Sequence, residues 1–208
     1  MTSPHPQPST LRDLLVVGIG SPHGDDAIGW LMTQGLEQQT LASRSVDFHG
    51  RVVFRPLRTP LDLVDLLDKP KGEDLRSRLV VIDAVVSPMP LGHLHVWVWP
   101  KVGWETRRAS GSHDIPLADA LAIAERLGRL PPCVEILGIN VGEAPTTPHF
   151  GLSHGLRSLL PKIAGEVIAW LESDESIRDG VETCNHTILP SLPNNRVSTG
   201  QRFGRGHA

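Results

Sequence analysis

Three residues have side chains able to hold a divalent metal and stand where elements begin or end: Asp26, Asp83 and His113. Asp26 follows Asp25 in the run GIGSPHGDDAIG, residues 18–29. Asp83 closes the apolar run VVIDA, and His113 lies in SGSHDI, just before a helical pattern. Two carboxylates and one imidazole suit a borderline ion such as zinc or nickel, with coordination positions left open for another ligand. Each residue also has a plainer explanation. An Asp at a helix start is commonly a cap. A buried Asp can be satisfied by loop amides, and a His before a helix can lie on the surface or act as a cap. One cap accounts for only one of Asp25 and Asp26, however. An acid at the end of so apolar a strand needs a partner or a function.

Other chemistries fit the same residues less well. Gly18-x-Gly20 suggests a dinucleotide loop, but position 23 is His and the next Gly is Gly24. Two acids then follow, where a pyrophosphate would be repelled, and no GxxxxGK motif occurs. There is no GxSxG motif, and Ser112 next to His113 does not build a triad. Cys133 and Cys184 form no CxxC pair, so no disulfide framework or permanent cysteine-zinc site is expected. Nothing beside Cys133 would activate it, and it reads as core or loop. Cys184 and His186 have no further support as a metal pair. His93 and His95 share one face of an alternating strand, which reads as solvated, with Val96 and Val98 on the other face. His23 stands close to the acids and is placed to touch a substrate. Trp97, Trp99 and Trp104 form either an apolar strip for a partner or ordinary packing on the sheet.

The elements that must position these groups are legible. LLVVGI, residues 14–19, is a continuous apolar run ended by glycines, the pattern of a buried strand and a tight loop. A helix follows over 27–40, which Asp25 or Asp26 can cap and in which Gly29 and Gly35 permit close packing. Short strands are expected within 46–54, around His49 and Gly50, with Pro56 and Pro60 interrupting the path. A short amphipathic helix covers 61–68. LVVIDA, 79–84, is the second clear strand. HLHVWVW, 93–99, alternates with period two and suits a half-exposed strand, antiparallel or near an edge. Pro116 leads a helix over 117–128 that Gly128 can end. VEILGINV, 134–141, is a further strand, and the last helix covers 152–171.

Alternating strands and helices predict a three-layer α/β/α sandwich with a mixed, mainly parallel sheet. In such folds the loops at the carboxyl ends of the strands build the site. That rule selects the loops after 14–19 and after 79–84, which carry Asp26 and Asp83. Composition agrees with one such domain: 208 residues, 20 Gly and 18 Pro, five Trp, four Phe and no Tyr. The expected division is a domain over 1–171 and a polar tail over 172–208. A net charge of -3 argues against a nucleic-acid coat. The start of the chain lacks the pattern of a signal peptide, and no run is long enough to span a membrane. The cytoplasm is the expected location.

GIGSPHGDDAIG, VVIDAVVS at 80–87, SHDIPLADALAIAERLG at 112–128, LGINVGE at 137–143 and PHFGLS at 148–153 occur in this order. This set resembles the hydrogenase maturation protease family, which trims the C-terminus of the large subunit of nickel-iron hydrogenases. The resemblance covers about residues 12–171 and implies the same α/β/α sandwich. It implies that Asp26, Asp83 and His113 contact nickel already inserted in the precursor. Nickel would then arrive with the substrate, with none tightly bound to the isolated protein, and the partner would be the large-subunit precursor met by a monomer. Gly18, Gly20 and Gly29 match glycines of the first motif, and Glu143 matches an acid after the last core strand. Three departures stand out. The first loop is one residue shorter between Gly20 and Asp26 than in the family pattern. Ser21 replaces the usual Asn. RPLRTPLDLVDLL stands where the family has a Gly/Thr-rich stretch expected to meet substrate. A non-proteolytic binding or assembly factor for a hydrogenase or other metalloprotein precursor is therefore the alternative.

Overall fold

The computed structural model describes residues 13–42, 52–68, 76–100, 115–142 and 150–172. In chain order these form β1 (Asp13–Ile19), a 3-10 turn (Gly24–Ala27), α1 (Ile28–Ala42), β2 (Val52–Leu57), α2 (Leu61–Leu66) and β3 (Arg76–Val85). They continue with β4 (Leu94–Val98), α3 (Leu117–Arg126), β5 (Cys133–Asn140) and α4 (His154–Glu172). The sheet order is β2-β1-β3-β5-β4. Every neighbouring pair is parallel except β4 with β5. The fold is thus the expected three-layer α/β/α sandwich around a mixed, mainly parallel sheet.

Strand periodicity assigns the two faces. Leu14, Val16, Val80, Ile82, Leu137 and Ile139 pack with Met32 and Leu36 of α1 and with Leu156, Ile163 and Val167 of α4. The alternate residues Leu15, Val17, Ile19, Val81 and Ile136 pack with Leu63 of α2 and Leu117 and Leu121 of α3. Both faces of the central strands are therefore covered. That is why their sequences read as unbroken apolar runs, whereas the edge strand β4 alternates and is half-buried throughout. Each fully buried side chain of this kind contributes about 1.5–3 kcal/mol relative to exposure.

Two local expectations need correction. Pro56 does not interrupt the path: β2 runs through it, with Gly18 of β1 opposite Pro56. β2 is the edge strand of the sheet, where a missing N–H need not cost a ladder bond. Gly35 does not mediate close packing, since a Cβ placed there would meet nothing within 4 Å. Gly29 does, as described below. Gly128 ends α3 as expected: its φ is +65°, and Arg129 N–H bonds back to Ala124 O at 2.9 Å. Residues 46–51 and the tail after Glu172 lie outside the described residues. Among the described residues no helix is long and apolar enough to cross a membrane.

Candidate functional site

The strand order creates one topological switch. From β1 the chain moves outward through α1 to β2, then returns past β1 to β3 on its other side. The loops leaving β1 and β3 therefore diverge, the arrangement that in such folds builds a site between the carboxyl ends of the strands. Asp26 lies in the 3-10 turn after β1, and Asp83 lies two residues from the end of β3.

Glycines draw these two segments together. A Cβ on Gly18 would lie 2.1 Å from both Gly29 O and Thr33 Oγ1. A Cβ on Gly29 would lie 2.4 Å from Ile19 O and 2.5 Å from Ile82 O. The first turn of α1 thus rests directly on the backbones of β1 and β3, immediately beside the switch. Gly20 allows the next close approach: its Cβ would lie 2.1 Å from Asp26 O. The 3-10 turn also packs against β3. Asp26 and Asp83 consequently share one end of the sheet, as the sequence predicts. Asp83 is 5% exposed, and its Oδ1 accepts from Ala84 N–H at 2.9 Å. Asp26 is half-buried.

The two acids of the turn do different work from the expected capping of α1. Asp26 Oδ2 accepts from Ser21 N–H at 2.8 Å, closing the loop on itself. Asp25 is 7% exposed, and its Oδ1 accepts from Ser153 N–H at 2.6 Å, across 128 positions of chain. Ser153 immediately precedes α4, and its Oγ accepts from Leu156 N–H at 3.4 Å. Asp25 therefore fastens the Asp26 loop to the start of α4. A second fastening lies beside it: His23 and Phe150 form an isolated antiparallel bridge, with ring centroids 5.6 Å apart. Phe150 is 86% exposed, so the rim of the site carries a projecting aromatic ring.

The opposite wall is the segment between β3 and β4. Asn140 ends β5 with no exposed surface and serves this segment with its whole side chain. Its Oδ1 accepts from Ser87 N–H at 2.9 Å and Gly142 N–H at 3.3 Å. Its Nδ2 donates to Met89 O and to Pro90 O. A polar amide ending the apolar run VEILGIN was the available signal for this role.

The expectation for the β4 histidines needs revision. His93 is exposed, but His95 is half-buried, stacked on Trp97 with centroids 5.2 Å apart and planes 6° apart. Its Nε2 is 2.9 Å from Ser87 Oγ. Burial, and secondarily the charge of His93, holds the His95 imidazole below its ordinary pKa. Asp83 and His95 both pair with Gly138, so the three form one row across the sheet. Sequence periodicity placed His95 on a face but could not reveal which strand or loop would cover it. Trp97 and Trp99 pack against the α2/α3 side, the plainer of the two expectations for them.

His113, Glu143, His149, Ser112 and Trp104 lie outside the described residues. Cys133 opens β5, at the sheet end opposite the acids, and is half-buried. Among the described residues, no group of three or more His, Cys, Asp or Glu side chains is arranged to hold a metal. Asp26 and Asp83 supply oxygen donors that fit a divalent ion when further donors are brought to them.

No protein-family model matches the sequence, and no curated protein matches it. Solved structures do match the fold. The hydrogenase maturating endopeptidase HybD from E. coli aligns with a TM-score of 0.55 and 22% identity, covering 77% of this chain and 92% of that one. The solution structure of an endopeptidase from Escherichia coli gives 0.55 and 22%, with coverage of 80% and 94%. The nickel-iron hydrogenase maturation protease HycI from Thermococcus kodakarensis KOD1 gives 0.52 and 20%, with coverage of 77% and 93%. The chain therefore has the fold of the hydrogenase maturation endopeptidases, with Asp26 and Asp83 at the carboxyl edge of its sheet.

Proposed function

We propose that this protein is an endopeptidase that removes the C-terminal extension of a nickel-loaded nickel-iron hydrogenase large-subunit precursor in the cytoplasm. One observation supports the reading: the Asp26 turn and Asp83 lie at the same, carboxyl end of parallel strands in a fold shared with hydrogenase maturation endopeptidases. The nickel belongs to the substrate. Asp26, Asp83 and His113 are the residues we assign to contact it. Two carboxylates and an imidazole complete the coordination of a divalent ion that arrives partly ligated. An ion so held polarises a peptide carbonyl or lowers the pKa of a water. The protein's part is to orient the precursor so that the scissile bond lies beside these groups. Because the ligand set is completed only when nickel is present, the same residues would reject a nickel-free precursor.

The test is to incubate the protein with nickel-loaded and nickel-free precursor and to measure product mass. Loss of the C-terminal extension from the loaded form alone is expected. Asp26→Asn, Asp83→Asn and His113→Ala should each lower the processing rate at least a hundredfold while the fold is retained. Binding without mass loss would refute peptidase activity and support a non-proteolytic assembly factor. Normal processing by all three variants would refute the assigned residues.

A further inference from the structure

We infer that His93 and His95 form a second metal-binding pair, a two-imidazole chelate on β4 that takes a divalent ion of the nickel or copper type. The inference is independent of the peptidase reading and uses none of the residues assigned to it. His93 immediately precedes β4 and His95 lies within it, so their side chains leave the same face. Their ring centroids are 4.7 Å apart and their planes are inclined at 81°.

A metal about 2.1 Å from a ring nitrogen lies about 3.2 Å from that ring's centroid, so two imidazoles whose centroids are less than about 6.4 Å apart are near enough to share one ion. The 4.7 Å spacing lies within that reach, and the exposed His93 ring is free to turn toward the ion. Two imidazole donors suit copper(II) and nickel(II). The remaining positions are open to water or to a donor from a partner.

Ser87 supplies the supporting contact that a ligating histidine requires. The 2.9 Å contact pairs Ser87 Oγ with His95 Nε2. With Nε2–H donating to Ser87, the lone pair lies on Nδ1 and is available to an ion. Ser87 Oγ also accepts from Met89 N–H at 3.3 Å, which holds the hydroxyl in place. Asn140 fixes Ser87 in turn through its backbone N–H. Trp97, stacked against the other side of His95, limits the tilt of the ring. The imidazole is thus oriented before any ion arrives.

The experiment is a titration of the full-length Asp26→Asn/Asp83→Asn protein with copper(II) sulfate, and separately with nickel(II) sulfate, followed by calorimetry and tryptophan fluorescence. The double substitution removes the two carboxylates of the other candidate site. One equivalent of copper(II) should bind and quench the Trp97 contribution to the emission. His93→Asn, an exposed change that leaves the fold intact, should weaken binding at least tenfold. Adding His95→Gln should abolish the saturable quenching. Ser87→Ala should weaken binding less than His93→Asn. If His93→Asn and His95→Gln proteins, folded by circular dichroism, titrate like their parent, the site does not exist. Absence of saturable binding in the parent would also overturn it.

Discussion

Placing one methyl group at Gly29 tests how tightly the first turn of α1 holds the site together. The added Cβ would lie 2.4 Å from Ile19 O and 2.5 Å from Ile82 O. Both obstacles are backbone oxygens within strands, so neither can swing aside as a flexible side chain would. Restoring an ordinary C···O distance of about 3.3 Å requires α1 to lift by nearly 1 Å. Overpacking of this kind costs about 3 kcal/mol, and alanine's better helix propensity returns about 1 kcal/mol. The net loss for Gly29→Ala is thus about 2 kcal/mol, or a fall in Tm of about 4–8 °C for a chain of this size. Gly35, in the same helix, is the internal control. Its Cβ would meet nothing within 4 Å, so Gly35→Ala should gain about 0.5–1 kcal/mol. Urea and thermal melts of the two variants measure the contrast directly. Lifting α1 also displaces Asp26, so precursor processing should fall for Gly29→Ala and not for Gly35→Ala. A Gly29→Ala protein within about 0.5 kcal/mol of the parent would refute the argument from close approach.

Other consequences can be measured in the same proteins. Asp25→Ala removes a hydrogen bond from a charged acceptor to Ser153 N–H and should cost about 1.5–3 kcal/mol, with Asp25→Asn costing less; equal melts would deny the fastening role. Arg78 and Glu135 form a buried ion pair, and Arg78 Nη1 also donates to Leu171 O at the end of α4. Glu135→Ala should therefore cost about 3–5 kcal/mol, much of it recovered in Arg78→Met/Glu135→Leu; an undisturbed melt of the single variant would contradict this. His95 has a lowered pKa in the folded chain, so the unfolded chain binds its proton more readily. Its contribution is present at neutral pH and is lost as pH falls below the ordinary imidazole value of about 6.5. Denaturation at a series of pH values should show His95→Gln removing part of that loss, and a profile unchanged by the substitution would exclude the effect.

Much of this architecture was legible because the relevant signals are local. LLVVGI, LVVIDA and VEILGINV read as buried strands, and they became β1, β3 and β5. The alternation of β4 marked an edge before its antiparallel pairing was known. Asp26 and Asp83 could be nominated together because the loops after parallel strands of an α/β sheet all lie at its carboxyl end. Contacts between distant segments were not legible. Asp25 reads as a cap because its sequence neighbours form a helix, but its partner Ser153 comes from the far end of the domain. His95 reads as solvated because the alternation of β4 carries no information about Ser87. Pro56 misleads for a related reason: its tolerance depends on β2 being at an edge, a property of the assembled sheet. For His113, the motif is the whole case, since the residue lies outside the described segments.

Asn140 has a consequence for how this wall opens. Its two donors and two acceptor positions are all engaged, by Ser87, Gly142, Met89 and Pro90. No one of these contacts can be released without leaving a buried amide group short of a partner. The end of β3, the turn before β4 and the end of β5 should therefore exchange their amide hydrogens as one cooperative unit. Ser87 and Gly142 would show the same opening free energy and lose protection together in Asn140→Ala. The candidate site would then have one wall that yields all at once, facing a rim held by the separate fastenings of Asp25 and His23.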